Sequence, residues 1–167
     1  MNRNLYVVMG ITGTGKSIVG EMLARKLGVD FVEGDDYHSR ENVERMVSGI
    51  PLTDEDRGDW LRALANRLSG ARHVRRGLVL TCSALKRSYR DVLRAAVPEV
   101  QFIFLRGSRS LIAERLAARR GHFMPPSLLE SQLTTLEEPA PDEHVWTYNI
   151  ESSPQEIVDH IVERAPA

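Results

Sequence analysis

The sequence predicts an α/β fold, a three-layer α/β/α sandwich built on a five-stranded parallel sheet. Three observations lead there. Apolar runs of strand length alternate with longer stretches of helical period, the rhythm of stacked strand-helix-strand units. A glycine-rich turn, residues 10–17, sits between the first strand and the first helix. No repeat, low-complexity tract or linker divides the 167 residues, a length that suits one domain with its own core.

The expected strands are Leu5 to Met9, Asp30 to Glu33, Leu78 to Cys82, Gln101 to Leu105 and Val145 to Ile150. Lys16 to Leu27 reads as a helix with Ile18, Val19, Met22, Leu23 and Leu27 on one face, and Gly28 is placed to end it in a left-handed conformation. Asp54 to Leu68 repeats the pattern through Trp60, Leu61, Leu64 and Leu68, with Thr53 and Asp56 as a capping pair at its start. Ser153, Pro154 and Glu156 supply a cap, a first-turn proline and a reciprocal cap for the last helix. Two segments, Gly34 to Thr53 and Arg119 to Pro141, read as loops. In parallel sheets ligands bind beyond the carboxyl ends of the strands, where such loops leave.

Composition sets limits on function. Lys and Arg total 22 against 23 Asp and Glu, a net charge of −1, so no whole-chain field attracts a polyanion and nucleic acid is a poor partner. The single cysteine, Cys82, excludes an internal disulfide and a multi-cysteine metal site and suits the cytoplasm. It sits in an apolar run and reads as a small core residue rather than a nucleophile. The apolar stretch Leu5 to Met9 is far below the ~20 residues that span a bilayer, and no signal peptide or membrane anchor is visible.

Residues Gly10-Ile11-Thr12-Gly13-Thr14-Gly15-Lys16-Ser17 satisfy the phosphate-loop pattern of glycine, any four, glycine, lysine, serine or threonine. The chemistry needs consecutive backbone N–H groups turned inward around a polyphosphate, with glycines where a side chain would block the turn. Lys16 is expected to reach the outer phosphates of ATP, and Ser17 to hold Mg²⁺ through its hydroxyl. A turn that merely joined strand to helix would not require Lys-Ser after its last glycine. A molecular switch or motor usually ends a strand on an acidic metal partner. Here the third strand ends Thr81-Cys82-Ser83, and the acidic group lies after the second, in Glu33-Gly34-Asp35-Asp36.

Asp35, which follows a strand expected beside the first, can stand over the phosphate cradle and accept or orient an acceptor hydroxyl. By itself an Asp-Asp pair more often begins a turn; beside a phosphate loop a catalytic role is favoured. Nucleotide binding alone leaves kinase, hydrolase and molecular switch open, and the scaffold permits a kinase for a small hydroxylated acid or for a nucleoside monophosphate. Outside that class stand a non-catalytic ATP-binding protein and a nucleic-acid-binding NTPase.

In six segments the chain resembles the gluconate kinases, or gluconokinases, of the small P-loop kinase group. They are GITGTGKS (10–17), EGDDYH (33–38), RENVERMVSGIPLTDEDRGDWL (40–61), CSALKRSYRDVLR (82–94), FLRG (104–107) and ARRGHFMPPSLLESQLTTLEEP (118–139). The resemblance implies a P-loop NTPase fold of the nucleoside and shikimate kinase type with a lid at about 119–139. It also implies ATP- and Mg²⁺-dependent phosphorylation of D-gluconate at its 6-hydroxyl by a homodimer. Carried over by motif, Asp35 looks like the catalytic carboxylate, and His38, Arg45, Lys86 and Arg90 are similar to acceptor-side residues. Arg115 and Arg119 look like the pair reaching adenine and phosphates, and His122 and Gln132 are implied to face the acceptor. The chain departs from the family pattern at Glu33, where Asp is usual, and at Ser39, where Pro is usual. Ser39 is suited to cap a following helix. Of the remaining histidines, His73, His144 and His160 are too scattered for a metal site, and Trp60 reads as core packing.

Overall fold

The structure, a computed structural model, describes residues 4–119 and 126–166. Five parallel strands, β1 (Leu5–Met9), β2 (Asp30–Glu33), β3 (Leu78–Thr81), β4 (Gln101–Arg106) and β5 (Trp146–Asn149), form one sheet in the order β2-β3-β1-β4-β5. Every residue of β1 and β3 is buried, which explains why these strands are unbroken apolar runs without alternation. Seven helices are described: α1 (Lys16–Leu27), α2 (Arg40–Val47), α3 (Asp54–His73), α4 (Arg87–Ala96), α5 (Arg109–Ala118), α6 (Pro126–Thr135) and α7 (Pro154–Arg164). They flank the sheet as the outer layers of the sandwich, α1 packing with α7 and α3 with α4.

The capping signals in the sequence act as expected. Gly28 ends α1 at φ 67°, and the reciprocal hydrogen bonds of a capping box are present at Thr53/Asp56 and at Ser153/Glu156. Ser39 accepts from the Asn42 amide at 3.1 Å and so starts α2.

Three expectations are corrected. Gly34 to Thr53 is not a loop throughout, because it contains a 3₁₀ turn (Gly34–Tyr37) and α2. The segment Arg119 to Pro141 contains α6. Both helices are short, and the prolines at or near their ends read as loop signals in the sequence. β2 is also not beside β1: β3 lies between them, pairing Leu5 with Leu78 on one side and Asp30 with Leu78 on the other. The chain crosses to the opposite side of the sheet only after β3, when β4 joins β1. The crevice at the carboxyl end of β1 is therefore the switch point where ligands bind in such sheets.

Candidate active site

The phosphate loop leaves the carboxyl end of β1 and enters α1. Gly13 and Gly15 have φ values of 85° and 93°, a region that a side chain would strain, and this geometry turns successive amides to one side. The loop is stitched internally by Thr14, whose hydroxyl donates to the Ile11 carbonyl at 2.7 Å. Gly10 ties it to the segment after β3 by donating to the Ser83 carbonyl at 3.3 Å. Lys16 Nζ donates to the Gly10 and Ile11 carbonyls at 2.9 and 3.2 Å, which parks the ammonium under the loop. Burial lowers its pKa, while the nearby charges of Asp35 and Glu33 favour the charged form.

The strand ends carry an oxygen-rich cluster beside that lysine. Glu33, last residue of β2, accepts from the Ser17 hydroxyl with one oxygen and from the Thr81 hydroxyl with the other. Register places this pair, because Glu33 lies opposite Thr81 in the β2–β3 ladder. The acidic group that β3 lacks is thus supplied by its neighbour, and the longer Glu side chain bridges the two hydroxyls. Gly34 follows at a point of close approach: its amide donates to Thr81 Oγ1 at 3.0 Å, and a Cβ there would lie 1.8 Å from the Thr81 carbonyl oxygen.

These oxygens suit Mg²⁺, a hard ion that takes a hydroxyl and carboxylate-held waters alongside phosphate oxygens. Among the described residues, no group of three or more His, Cys, Asp or Glu side chains is placed to hold a metal ion by itself.

Asp35 stands in the 3₁₀ turn after β2, with its carboxylate about two-thirds exposed. His38 Nε2 lies 3.9 Å from it. That contact is not an ion pair at neutral pH, because burial and the charge of Arg57 hold the His38 pKa down to about 4. The imidazole stacks on Trp60 with ring centroids 4.0 Å apart, and Asn42 Nδ2 approaches His38 Nδ1 at 3.5 Å. Trp60 does more than fill the core: its indole N–H donates to the Gly34 carbonyl at 2.8 Å and fixes the turn that presents Asp35.

The other acceptor-side candidates separate on inspection. Lys86 Nζ donates to Asp54 at 3.0 Å, and Asp54 also accepts from the Tyr89 hydroxyl. Arg45 pairs with Asp56 at 2.5 Å and lines a cleft of about 560 Å³ between α2 and α3, together with Tyr37 and Trp60. Arg90 does not face an acceptor, which corrects the sequence expectation. It is fully buried, donating from Nε and Nη2 to Glu143 at 2.7 and 3.0 Å and from Nη1 to the Ala84 carbonyl at 2.8 Å. Its fork is already filled by the protein. Gln132, on α6, reaches the phosphate loop itself, accepting from the Thr12 amide at 2.8 Å. His122 lies outside the described residues.

Arg115 and Arg119 meet the phosphate loop from α5. They line a pocket of about 310 Å³ with Gly13, Gly15, Ile18 and Pro154, and Arg115 donates to the Ile150 carbonyl at 2.6 Å. The half-exposed Ile18 gives this pocket an apolar wall beside the arginines, a combination that accommodates a flat base. Cys82 is buried, and burial pushes its thiol up to about 12, which makes it a core residue and not a nucleophile.

Sequence reasoning missed Arg57, Thr81 and Tyr89. A signal existed for Arg57: it lies three residues before Trp60 and seven before Leu64, on the apolar stripe of α3, where a solvated arginine does not belong.

An AAA domain family model matches residues 5–139. The gluconokinase of Gluconobacter oxydans (strain 621H) is 47% identical, over 93% of this chain and 88% of that protein. Among solved structures, a gluconokinase from Sinorhizobium meliloti 1021 superposes with a TM-score of 0.88 at 47% identity, covering 97% of this chain and 91% of the other. An unliganded sugar kinase from Janibacter sp. HTCC2649 superposes at 0.92 with 44% identity, covering 96% and 92%.

Proposed function

The chain belongs to the gluconokinase family, and from that membership together with the site geometry we propose how it converts ATP and D-gluconate to ADP and 6-phospho-D-gluconate. The carrying observation is the convergence of the phosphate loop, Lys16 and Asp35 at the carboxyl ends of β1 and β2. The amides of Gly13, Gly15, Lys16 and Ser17, unbonded to other described residues, hold the β- and γ-phosphates at the positive end of α1. Lys16 leaves its two carbonyl partners for the phosphates, and Arg115 and Arg119 hold adenine and the phosphate chain against Ile18 and Pro154.

Asp35 accepts the proton of the 6-hydroxyl as that oxygen forms its bond to the γ-phosphorus. The bond from phosphorus to the bridging oxygen breaks, and its electron pair leaves on ADP. His38, neutral and braced by Trp60, positions Asp35 without competing for the proton. Lys16 and Arg119 offset the charge that spreads over the transferring group. Ser17 and Glu33 are the residues that would hold Mg²⁺, whose charge neutralises the phosphate oxygens when it is bound. Thr81 fixes the Glu33 carboxylate for that purpose.

Gln132 tethers α6 to Thr12, so the lid region and the phosphate loop are in contact beside the acceptor. No described helix is long and apolar enough to cross a membrane. Action in the cytoplasm, and as a homodimer, completes this reading, and sedimentation equilibrium tests the dimer.

Steady-state turnover of ATP with a panel of gluconate, other sugar acids, shikimate and nucleoside monophosphates tests the assignment. Gluconate gives the highest kcat/KM. Turnover of another acceptor with none on gluconate overturns it.

A further inference from the structure

Gluconate carries its negative charge at the end of the chain remote from the 6-hydroxyl, so a pocket that selects it needs a cation not already matched to a carboxylate. Three cations expected on the acceptor side fail that condition: Arg45 is paired with Asp56, Lys86 with Asp54, and Arg90 with Glu143. Arg57 meets it. Its Nη1 donates to the Tyr89 hydroxyl oxygen at 3.0 Å, its Cζ lies 5.2 Å from the centroid of that ring, and no carboxylate lies within 4.0 Å of it among the described residues. Its Nε and Nη2 edge makes no hydrogen bond to another described residue.

Position and support point the same way. Arg57 is the fourth residue of α3, three residues before the Trp60 that braces His38, and its charge is felt at His38, Cys82 and Asp54. A polarised chain holds it: Lys86 donates to Asp54, the Tyr89 hydroxyl donates to Asp54, and the oxygen of that hydroxyl accepts from Arg57. Lys86 therefore helps to neutralise Asp54, the carboxylate that shares Tyr89 with Arg57. A half-buried guanidinium, pinned on one nitrogen and free along its other edge, is preorganised for the two parallel hydrogen bonds that a carboxylate accepts.

Building on the gluconate kinase reading above, we propose that Arg57 binds the carboxylate of gluconate and sets the enzyme's preference for an acid over an uncharged polyol, with Tyr89 and Asp54 as its positioning residues. Asp35 takes the 6-hydroxyl at the far end of the same acceptor. Lys86 acts on Asp54 and not on the substrate.

The test compares gluconate with D-glucitol, which has the same six-carbon hydroxylated chain and no carboxylate. Arg57→Met raises KM for gluconate about 10- to 100-fold, the scale of lost charged hydrogen bonds, leaves KM for ATP within about twofold, and leaves kcat/KM for glucitol within about twofold. Arg57→Lys recovers part of the gluconate loss, and it carries the test alone if the Met variant does not fold. Calorimetric titration of gluconate and of glucitol into protein saturated with a non-hydrolysable ATP analogue gives the same comparison where glucitol turnover is too slow to measure.

The proposal is overturned if gluconate KM and affinity stay within twofold in Arg57→Met. It is equally overturned if gluconate and glucitol suffer alike. Wild-type protein that ignores gluconate overturns the function reading as well, and that result is seen before any variant is made.

Discussion

Replacing Glu143 by Gln probes the buried pair that removes Arg90 from the acceptor site. The Glu143 carboxylate is 1% exposed and accepts from Arg90 Nε and Nη2 at 2.7 and 3.0 Å, from Arg94 Nη2 at 2.9 Å and from the Ala140 amide at 2.8 Å. Burial by itself would raise its pKa, but the hydrogen bonds from Arg90, Ala140 and Arg94 outweigh it and hold the group at about 2 against an ordinary 4.5. A depression of that size is worth about 3 kcal/mol of folding stability at neutral pH. An independent route gives the same scale: removing one partner of a buried ion pair costs about 3–5 kcal/mol, because the other charge is stranded. For a chain of this length that lowers Tm by roughly 6–20 °C.

Because the folded pKa is depressed, the contribution is complete above pH 4.5 and disappears as pH falls through 2. The variant therefore differs most from wild type near neutrality, and the two melting curves converge in acid. Calorimetry or circular dichroism across pH 2–7 reads both effects. The double variant Arg90→Met with Glu143→Leu regains most of the stability and keeps gluconate KM within about threefold. A Glu143→Gln protein within about 1 kcal/mol of wild type, or a folded double variant that has lost gluconate binding, refutes the assignment of Arg90 to structure.

Three further outcomes follow from the site. Asp35→Asn lowers kcat by about 10²- to 10⁴-fold with the Kd for ATP nearly unchanged, and a near-normal rate removes Asp35 as base or orienter. Gly34→Ala forces a Cβ onto the Thr81 carbonyl oxygen at 1.8 Å and parts the ends of β2 and β3, so it costs about 3 kcal/mol or more and lowers the soluble yield; an unaltered melting curve contradicts the close approach. His38 titrates near 4 by NMR, and its depressed folded pKa means that stability declines as pH falls from 6.5 toward 4, by about 3 kcal/mol in all. An imidazole that titrates at 6.5 in the folded protein denies its burial.

The sequence by itself determined the parts of this protein that depend on neighbours along the chain. The strands β1 and β2 and the helix α1 have the predicted bounds, and the caps at Ser39, Thr53 and Ser153 act where local hydrogen bonding places them, because each rests on contacts within a few residues. The phosphate loop was legible for the same reason, its glycines and Lys-Ser being a local device for holding phosphates. Tertiary structure decided what depends on partners far away in sequence. Glu33 meets Thr81 across 48 positions, Arg90 meets Glu143 across 53, and Arg57 meets Tyr89 across 32. An arginine's role is set by whichever carboxylate reaches it first, and spacing along the chain carries no record of that contest. Sequence could therefore name cations suited to an acidic acceptor, but only tertiary packing set α3 against α4 with no carboxylate on Arg57 among the described residues, and brought the turn Pro141–Glu143 to α4 to give Arg90 a buried one.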